Sequence, residues 1–211
     1  MVSNVLLYDY WRSSASYRVR IALNLKGVTF ETESVNLLGK EHKSAAHLQR
    51  NPQGLVPVLS IDGQLLTQSL AILQYLDDTR PAPSLFPTDP LEKARALAIA
   101  YAIAMETHPL ANLSVAVHAG RLGKDGDAGK ANWIKHYIAQ GLTAVEQMLP
   151  GGNRYSTSDT PGIADCCLVP QVYNAERWGV NLSDMPTVVA IANECNKLAA
   201  FADAHPDNVP Q

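Results

Sequence analysis

Hydrophobic and polar positions near the start of the chain predict two strands with a helix between them. An apolar segment of strand length runs from Val5 to Tyr10. Apolar residues then recur with helical spacing at Val19, Ala22, Leu23 and Leu25, before the helix-terminating Gly27. A weaker alternation from Phe30 to Leu37 predicts a second strand, so that these elements form a βαβ unit.

The next stretch predicts a turn and a β-hairpin. A short helix is predicted near Lys43 to Gln49, and Asn51–Gly54 contains the residue types that favour turns. Two apolar runs follow, from Val56 to Ile61 and from Gln64 to Thr67. They flank Asp62-Gly63, a dipeptide typical of two-residue hairpin turns.

Ser69 is expected to cap the helix after the hairpin, because a serine side chain can satisfy a free backbone N–H at a helix start. Apolar residues at helical spacing follow it at Leu70, Ile72, Leu73 and Leu76. The order βαβ followed by ββα is the thioredoxin-like arrangement, an α/β domain in which helices cover a mixed sheet. We assign residues 1–80 to this domain.

A different pattern begins after a proline-rich segment at residues 81–89, which predicts a linker because proline interrupts helices. Beyond the linker, Ala- and Leu-rich stretches occur at roughly 91–119, 129–149, 163–177 and 187–203, without any hairpin signal between them. Residues 90–211 are therefore predicted to form an all-α helical bundle.

Composition excludes several classes of protein. A chain of 211 residues with 46% hydrophobic and 18% charged residues can bury a substantial core, so disordered and fibrous classes are excluded. The net charge of −3 provides no basic excess for nucleic acid, and no apolar stretch approaches the roughly 20 residues of a membrane helix. We therefore expect no nucleic-acid or membrane partner.

The N-terminus and the cysteines predict a reducing cytoplasm as the location. The opening residues lack the cationic and apolar regions of a signal peptide. Three cysteines, Cys166, Cys167 and Cys195, are odd in number and include an adjacent pair, which is a poor basis for a disulfide framework. The sequence also lacks Cys-x-x-Cys, His-Glu-x-x-His and the glycine-rich nucleotide motifs, so no metal or nucleotide cofactor is expected.

The start of the first helix combines serine hydroxyls with arginines. Ser13, Ser14 and Ser16 stand beside Arg12, with Arg18 and Arg20 following. A helix N-terminus presents free N–H groups and about half a positive charge, which together favour an anion. The alternative is a serine-capped helix with solvated arginines. On these residues alone both interpretations stay open.

Two further pairs suggest peptide binding. Val56-Pro57 lies at a strand start, and in a thioredoxin-like sheet a cis proline there leaves the backbone of Val56 able to pair with a bound peptide. Gln68-Ser69 lies at a helix N-terminus that can hold a peptide carboxylate, although ordinary capping explains it equally well.

Taken together, four motifs resemble the zeta class of the glutathione transferases over almost the whole chain. They are Arg12–Arg20, Asn51-Pro52 with Val56-Pro57, Gln68-Ser69, and Ala164–Gln171. The resemblance implies glutathione as cofactor, a homodimer, and the conversion of maleylacetoacetate to fumarylacetoacetate in the catabolism of aromatic amino acids or other aromatic compounds. A double bond must become single before it rotates, so a thiolate nucleophile has to add and later leave.

The resemblance also implies the site residues. Ser14 is the expected thiolate donor, with Ser13 as second choice and Arg12 nearby. Glutathione would be bound by Ser13, Ser14, Ala15, Ser16, Tyr17, Arg18, His42, Val56, Gln68 and Ser69 of the first domain and by His108, Asn112, Leu113 and Ser114 of the second. Arg12 and Arg177 would hold the substrate carboxylates, since a guanidinium can bind a carboxylate through two hydrogen bonds.

The chain departs from the family pattern at three positions. Ala15 replaces a frequent cysteine, so that thiol is not essential here. Ser114 stands where maleylpyruvate isomerases can have an arginine. Gly162 replaces the Ser or Thr that usually precedes Asp165 by three residues, and Asp165 is expected to stabilise the fold rather than take part in chemistry.

Other functions remain open at this point. A glutathione-dependent maleylpyruvate isomerase, or a transferase that displaces halide from α-halo acids, would use the same site with another electrophile. A transferase-fold interaction protein without catalysis is the alternative from a different class.

Overall fold

The computed structural model describes residues 5–210, which fall into two compact units. The first unit comprises the described residues up to Leu85 together with those from Leu198 onward, and the second comprises Phe86–Lys197. Residues 1–4 and 211, which the sequence assigns to the two predicted domains, lie outside the described residues.

The first unit contains a four-stranded mixed sheet with strand order β2-β1-β3-β4. The β1 strand pairs with β2 in parallel and with β3 antiparallel, and β3 pairs with β4 antiparallel. This is the predicted thioredoxin-like topology. Its elements are β1 (Leu6–Asp9), α1 (Ser14–Leu25), β2 (Glu31–Ser34), α2 (Ala45–Arg50), β3 (Val58–Ile61), β4 (Gln64–Thr67) and α3 (Ser69–Thr79).

Local chemistry explains how these elements begin and end. The α1 helix ends at Leu25 with Lys26 as its C-cap residue, and Gly27 then adopts a φ of 62°, which glycine tolerates without a steric penalty. Asp62 and Gly63 have φ values of 52° and 75°, the pair of positive angles that a type I′ hairpin turn requires. The weak alternation of β2 is explained by its position, since all four residues of Glu31–Ser34 are exposed at the sheet edge.

The prediction that Ser69 caps α3 is wrong by one residue. Gln68, with a φ of 69°, occupies the N-cap position and its side chain makes no capping hydrogen bond, whereas Ser69 is the first residue of the helix. The Ser69 hydroxyl is instead bound by Arg18 Nη1 at 3.2 Å. A buried guanidinium therefore uses the oxygen that the capping prediction assigned to a backbone N–H.

Every regular element among the described residues of the second unit is a helix. Its elements are α4 (Pro90–Tyr101), a π-helical turn (Ala102–Thr107), α5 (His108–Leu110), α6 (Leu113–Leu122), α7 (Gly126–Met148), α8 (Ile163–Trp178) and α9 (Pro186–Asn196). The predicted stretch 91–119 is divided because the Asn112 side chain accepts a hydrogen bond from Ser114 N and starts a new helix.

The π-helical turn packs closely against α7. Thr107 Oγ1 donates to the carbonyl of Ala102 at 2.9 Å. A Cβ atom at Gly141 of α7 would lie 2.0 Å from Thr107 Oγ1, a distance that two non-bonded heavy atoms do not tolerate without movement. The absence of a side chain at Gly141 therefore permits this contact.

The C-terminal part of the chain differs from two predictions, namely a helix over 187–203 and a helical domain that extends to residue 211. The α9 helix ends at Asn196, and a short helix α10 (Ala199–Ala202) and a 3-10 turn (Pro206–Asn208) follow in the first unit. Two side chains of α1 explain this association, because Asn24 donates to the carbonyl of Ala200 at 3.0 Å and Arg20 to that of Ala204 at 2.9 Å. None of the described helices has both the length and the apolar character of a transmembrane span.

Candidate active site

The N-terminus of α1 presents two serines in different states. Ser13 is the N-cap residue, and its hydroxyl oxygen accepts a hydrogen bond from Ser16 N at 3.2 Å. Ser14 is the first helical residue and is only 6% exposed. None of the hydrogen bonds found within residues 5–210 uses the Ser14 hydroxyl, so its proton can be donated to a ligand.

Arg12, directly before these serines, carries a charge that no carboxylate of residues 5–210 neutralises. Its guanidinium stacks 4.4 Å from the Trp11 ring centroid and donates to the Tyr10 hydroxyl at 3.1 Å. Its Nε is buried and has no hydrogen-bond partner within the described part of the chain, which also places no acidic side chain within 4.0 Å of the guanidinium. A buried cationic donor in this state favours an anionic ligand.

The interpretation of Arg18 and Arg20 as solvated arginines is wrong. Arg18 is 2% exposed and donates to the Ser69 hydroxyl, which joins α1 to the start of α3. Arg20 is fully buried and paired with Asp9 at 2.6 Å. Two of the three arginines near the start of α1, Arg18 and Arg20, are therefore engaged in the interior, and Arg12 lies beside the helix N-terminus.

A chain of hydrogen bonds connects Gln68 to the loop before Val56. Gln68 Nε2 donates to Gln53 Oε1 at 2.8 Å, and the backbone N–H of Gln53 donates to Asn51 Oδ1 at 3.0 Å. Asn51 Nδ2 in turn donates to the carbonyl of Leu55 at 2.9 Å. The Val56-Pro57 bond that follows is cis, as expected.

Two histidines lie beside this loop. The ring Nε2 of buried His47 lies 2.9 Å from the carbonyl of Leu55, the same oxygen that Asn51 bonds. His42 lies in the 3-10 turn Glu41–Lys43, and burial, followed by the nearby charges of Lys43 and His47, lowers its pKa below the ordinary value. At neutral pH His42 is therefore an uncharged imidazole that can donate or accept one hydrogen bond.

The predicted site residues of the second unit lie in α5, at the start of α6 and in α8. His108 is the first residue of α5, and Asn112 caps α6 with an oxygen that also accepts from the Ser114 hydroxyl at 3.0 Å. Leu113 is 38% exposed. Arg177, in the last turn of α8, donates to Asn174 Oδ1 at 3.2 Å.

Asp165 is buried beneath the start of α8 and is bonded by neutral groups. Its Oδ2 accepts from Gly162 N at 2.8 Å, and its Oδ1 accepts from the Ser156 N–H at 2.9 Å and from the Ser156 hydroxyl at 2.7 Å. Burial raises the pKa of Asp165 above its ordinary value, against these hydrogen bonds, which lower it. These contacts favour the expected structural role, in which the Ser156 hydroxyl is a further donor to the Asp165 carboxylate.

The sequence analysis did not identify the residues that bond the loops of the candidate site. Asn51 was part of a quoted motif but was not given a role, and Gln53, His47 and Arg20 were not proposed for the site. The available signal is the position of Arg20 between the apolar residues Val19 and Ile21, because an arginine on the buried face of a helix requires a partner.

Comparison with known proteins identifies the family. Residues 3–78 match the model of the glutathione S-transferase N-terminal domain. The chain is 51% identical over 209 residues to the maleylacetoacetate isomerase of Rhizobium meliloti (strain 1021), and the alignment covers 98% of each sequence.

Solved structures agree with this relationship. The holo structure of maleylpyruvate isomerase, a bacterial zeta-class glutathione S-transferase, matches with a TM-score of 0.94 and 39% identity, covering 98% of this chain and 99% of that one. Maleylacetoacetate isomerase from Anaeromyxobacter dehalogenans 2CP-1, with glutathione bound in its active site, matches with a TM-score of 0.88 and 42% identity, covering 99% and 97%.

Proposed function

The chain belongs to the zeta class of the glutathione transferases, and on that basis we propose that it is a glutathione-dependent cis–trans isomerase that converts maleylacetoacetate to fumarylacetoacetate. The observation that carries the proposal is the α1 N-terminus, where the Ser14 hydroxyl is unengaged within the described residues and Arg12 has no carboxylate partner. Both groups favour an anion, and a thiolate and a dicarboxylate are the anions that this reaction needs.

The first unit has free groups that fit the parts of glutathione. The start of α3 at Ser69 suits the γ-glutamyl carboxylate, because a helix N-terminus presents unpaired N–H groups. The backbone N–H and C=O of Val56 take part in none of the loop hydrogen bonds within residues 5–210, so they can bind the cysteinyl backbone. His42 Nδ1 is buried without a partner among the same residues and suits the glycyl end.

When bound, glutathione supplies a sulfur nucleophile that adds to the cis double bond and leaves after rotation. The residues of this chain make and orient that nucleophile. A free thiol has a pKa of about 8.5, so a hydroxyl donor, a cation and a helix N-terminus are needed to favour its anion at neutral pH. Ser14, Arg12 and α1 provide these three groups, with Ser13 as the alternative hydroxyl.

Arg12 and Arg177 are proposed to hold the two ends of the substrate. Arg12 is supported by its unpartnered Nε, and Arg177 by its oriented guanidinium, which Asn174 bonds at 3.2 Å. A carboxylate bound by a guanidinium restricts the orientations that the substrate can adopt while the bond rotates.

The test begins with purified protein, glutathione and maleylacetoacetate, and formation of fumarylacetoacetate is expected. Ser14→Ala should raise the pKa of the bound thiol, which is measured by the absorbance of the thiolate. It should also lower turnover by about a hundredfold, because it removes one hydrogen-bond donor to a reacting anion. Ser13→Ala should change both quantities less. An unaltered pH–rate profile in Ser14→Ala would exclude Ser14, and failure of the unmodified protein to bind glutathione in calorimetry would favour the non-catalytic scaffold.

Arg177→Ala tests substrate binding. It should lower kcat/KM about tenfold to a hundredfold for dicarboxylic substrates, because it removes one oriented charge contact, and leave reaction with a neutral electrophile nearly unchanged. Equal losses for both substrates would show that Arg177 supports the structure instead.

A second candidate substrate is maleylpyruvate, which the TM-score of 0.94 to a maleylpyruvate isomerase favours. Against it, Ser114 occupies the position where those enzymes can carry an arginine, and it bonds Asn112. The ratio of kcat/KM values for maleylacetoacetate and maleylpyruvate decides between them. An α-halo acid serves as the third substrate in the same assay.

We further propose a homodimer in a reducing cytoplasm. An exposed apolar stripe on α4 and the π-helical turn supports the dimer, with Leu91 59%, Tyr101 43% and Met105 59% exposed. Three buried cysteines without disulfides support the compartment. Light scattering on the purified protein should give twice the mass of the chain. The double variant Leu91→Glu with Met105→Glu should give the mass of a single chain.

A further inference from the structure

Arg20 is a fully buried arginine whose side chain contacts three separate segments. Its Nη1 bonds Asp9 Oδ2 at 2.6 Å, at the end of β1. Its Nη2 donates to the carbonyl of Trp11 at 3.0 Å, and its Nε donates to the carbonyl of Ala204 at 2.9 Å. One side chain therefore joins β1, the loop before α1 and the C-terminal segment.

The loop held in this way is the one that carries the proposed site. Trp11 directly precedes Arg12, and Ser13 and Ser14 follow. Apart from the bond of Arg20 to Trp11, the loop backbone has two contacts: Ser13 N donates to the carbonyl of Tyr10 at 2.7 Å, and Tyr17 N donates to the carbonyl of Ser13 at 2.8 Å. A movement of the Trp11 carbonyl would thus be transmitted directly to Arg12 and to the N-terminus of α1.

An arginine suits this task better than a lysine does. The planar guanidinium carries five N–H donors in fixed directions and can meet three acceptors at once, whereas an ammonium is a single point of charge on a flexible stem. Asp9 also depends on Arg20, since Asp9 is 4% exposed and its Oδ1 has no partner within residues 5–210.

We propose that Arg20 is a positioning residue for the isomerisation, which fixes the Trp11–Ser14 loop so that Arg12 and Ser14 face the reacting groups. Arg20 does not itself reach the ligand, because it is buried behind the loop. The inference rests on the proposed function for its kinetic consequence, but its structural part concerns the loop alone.

The test compares Arg20→Lys with Asn24→Ala. The lysine keeps a positive charge beside Asp9 but cannot reproduce the fork that holds Trp11 and Ala204. Asn24 lies one turn further along α1 and bonds the carbonyl of Ala200 at 3.0 Å. Asn24→Ala therefore loosens the same C-terminal segment without touching the loop, which makes it the matched control.

The first readout needs neither ligand nor turnover. Protein labelled with 5-fluorotryptophan should give separate ¹⁹F resonances for its three tryptophans, assigned by Trp→Phe variants. In Arg20→Lys the Trp11 resonance should shift or broaden while those of Trp133 and Trp178 stay in place. In Asn24→Ala all three resonances should match the unmodified protein.

The second readout is the acidity of the bound thiol. Arg20→Lys should raise the pKa of bound glutathione by about one unit and lower kcat/KM about tenfold, because the donors to the sulfur are misplaced. Asn24→Ala should leave both within about twofold, which is the scale expected of a change outside the site. If Arg20→Lys fails to fold, Asp9→Asn, which weakens the hold on Arg20, should give smaller shifts in the same direction.

The outcomes separate this inference from the proposed function. A folded Arg20→Lys protein with an unchanged Trp11 resonance and an unchanged thiol pKa would overturn the positioning role. The positioning role would also be overturned if Asn24→Ala changed the Trp11 resonance and the thiol pKa as much as Arg20→Lys does. If the unmodified protein neither binds glutathione nor isomerises, the proposed function fails, while the Trp11 resonance still reports on the structural part.

Discussion

The two units bury their charged groups in different ways. All three buried cations of the described chain, Arg18, Arg20 and Lys26, lie on α1 or at its end, in the first unit. Within its described residues the second unit buries no lysine or arginine, and its one buried carboxylate, Asp165, is bonded by neutral N–H, O–H and S–H groups.

In the first unit, each buried cation joins segments that are far apart in the sequence. Lys26 pairs with Asp77 at 2.6 Å and also donates to the carbonyls of Arg80 and Pro83, which fixes the end of α3 and the linker. Arg18 reaches Ser69, and Arg20 reaches Ala204. The α1 helix is therefore the element around which this unit is assembled.

In the second unit, close packing and helix caps provide the long-range contacts. Gly141 admits Thr107, and Glu146 accepts from the backbone of Thr187 at 3.0 Å and Val188 at 2.8 Å at the start of α9. Although burial acts to raise it, these hydrogen bonds lower the pKa of Glu146. We therefore expect substitutions that change charge to lower the stability of the first unit most, and substitutions that change side-chain volume to lower the stability of the second unit most.

The largest effect should come from Arg20→Met. It leaves the buried carboxylate of Asp9 without its cation, and the free energy of unfolding should fall by about 3–5 kcal/mol. Urea denaturation measures the loss. The double variant Asp9→Leu with Arg20→Met removes both charges and should recover most of the stability. If it is no more stable than Arg20→Met, the damage comes from lost packing and the comparison fails for the first unit.

A smaller loss is expected for Gly141→Ala in the second unit. The added methyl group would lie 2.0 Å from Thr107 Oγ1, so the contact between α7 and the π-helical turn must open. Overpacking of this kind costs about 1–3 kcal/mol, measured by the same denaturation. Adding Thr107→Ala should recover part of that loss, and a Gly141→Ala protein as stable as the parent would show that the contact is not tightly packed.

The smallest effect is expected for Ser156→Ala, and it should depend on pH. Removal of the hydroxyl that bonds Asp165 should cost about 1–2 kcal/mol when the carboxylate is ionised. Because burial raises the folded-state pKa of Asp165 above its unfolded value, the stability that this group contributes is present in full below the unfolded pKa and is lost as pH rises through the folded pKa.

Removing the Ser156 donor raises that folded pKa further, so the difference between variant and parent should be small near pH 3 and grow towards pH 7. Chemical denaturation across this range measures it. Ser158→Ala is the control, since the Ser158 hydroxyl bonds only the exposed Thr160 and should change stability by a few tenths of a kcal/mol. A pH-independent loss in Ser156→Ala would contradict the role of Asp165.

Prediction from the sequence succeeded where the signal is local. The Asp62-Gly63 turn, the helix end at Gly27 and the serines at the start of α1 all depend on residues within a few positions of one another. Prediction failed where a distant group competes for the same atom. Ser69 was expected to cap α3, but Arg18, 51 residues earlier, takes its hydroxyl.

The sequence alone determined the order of the elements, the thioredoxin-like topology and the cluster of serines and arginines at one helix start, because periodicity, turn chemistry and helix capping act over short distances. Only the tertiary structure decided which of the arginines near this helix start are buried. Local sequence does not distinguish Arg12, Arg18 and Arg20. Yet Arg18 and Arg20 are buried against distant partners, while no acidic side chain within residues 5–210 lies within 4.0 Å of the Arg12 guanidinium. Burial and pairing depend on contacts between remote segments, and those contacts exist only once the chain has folded.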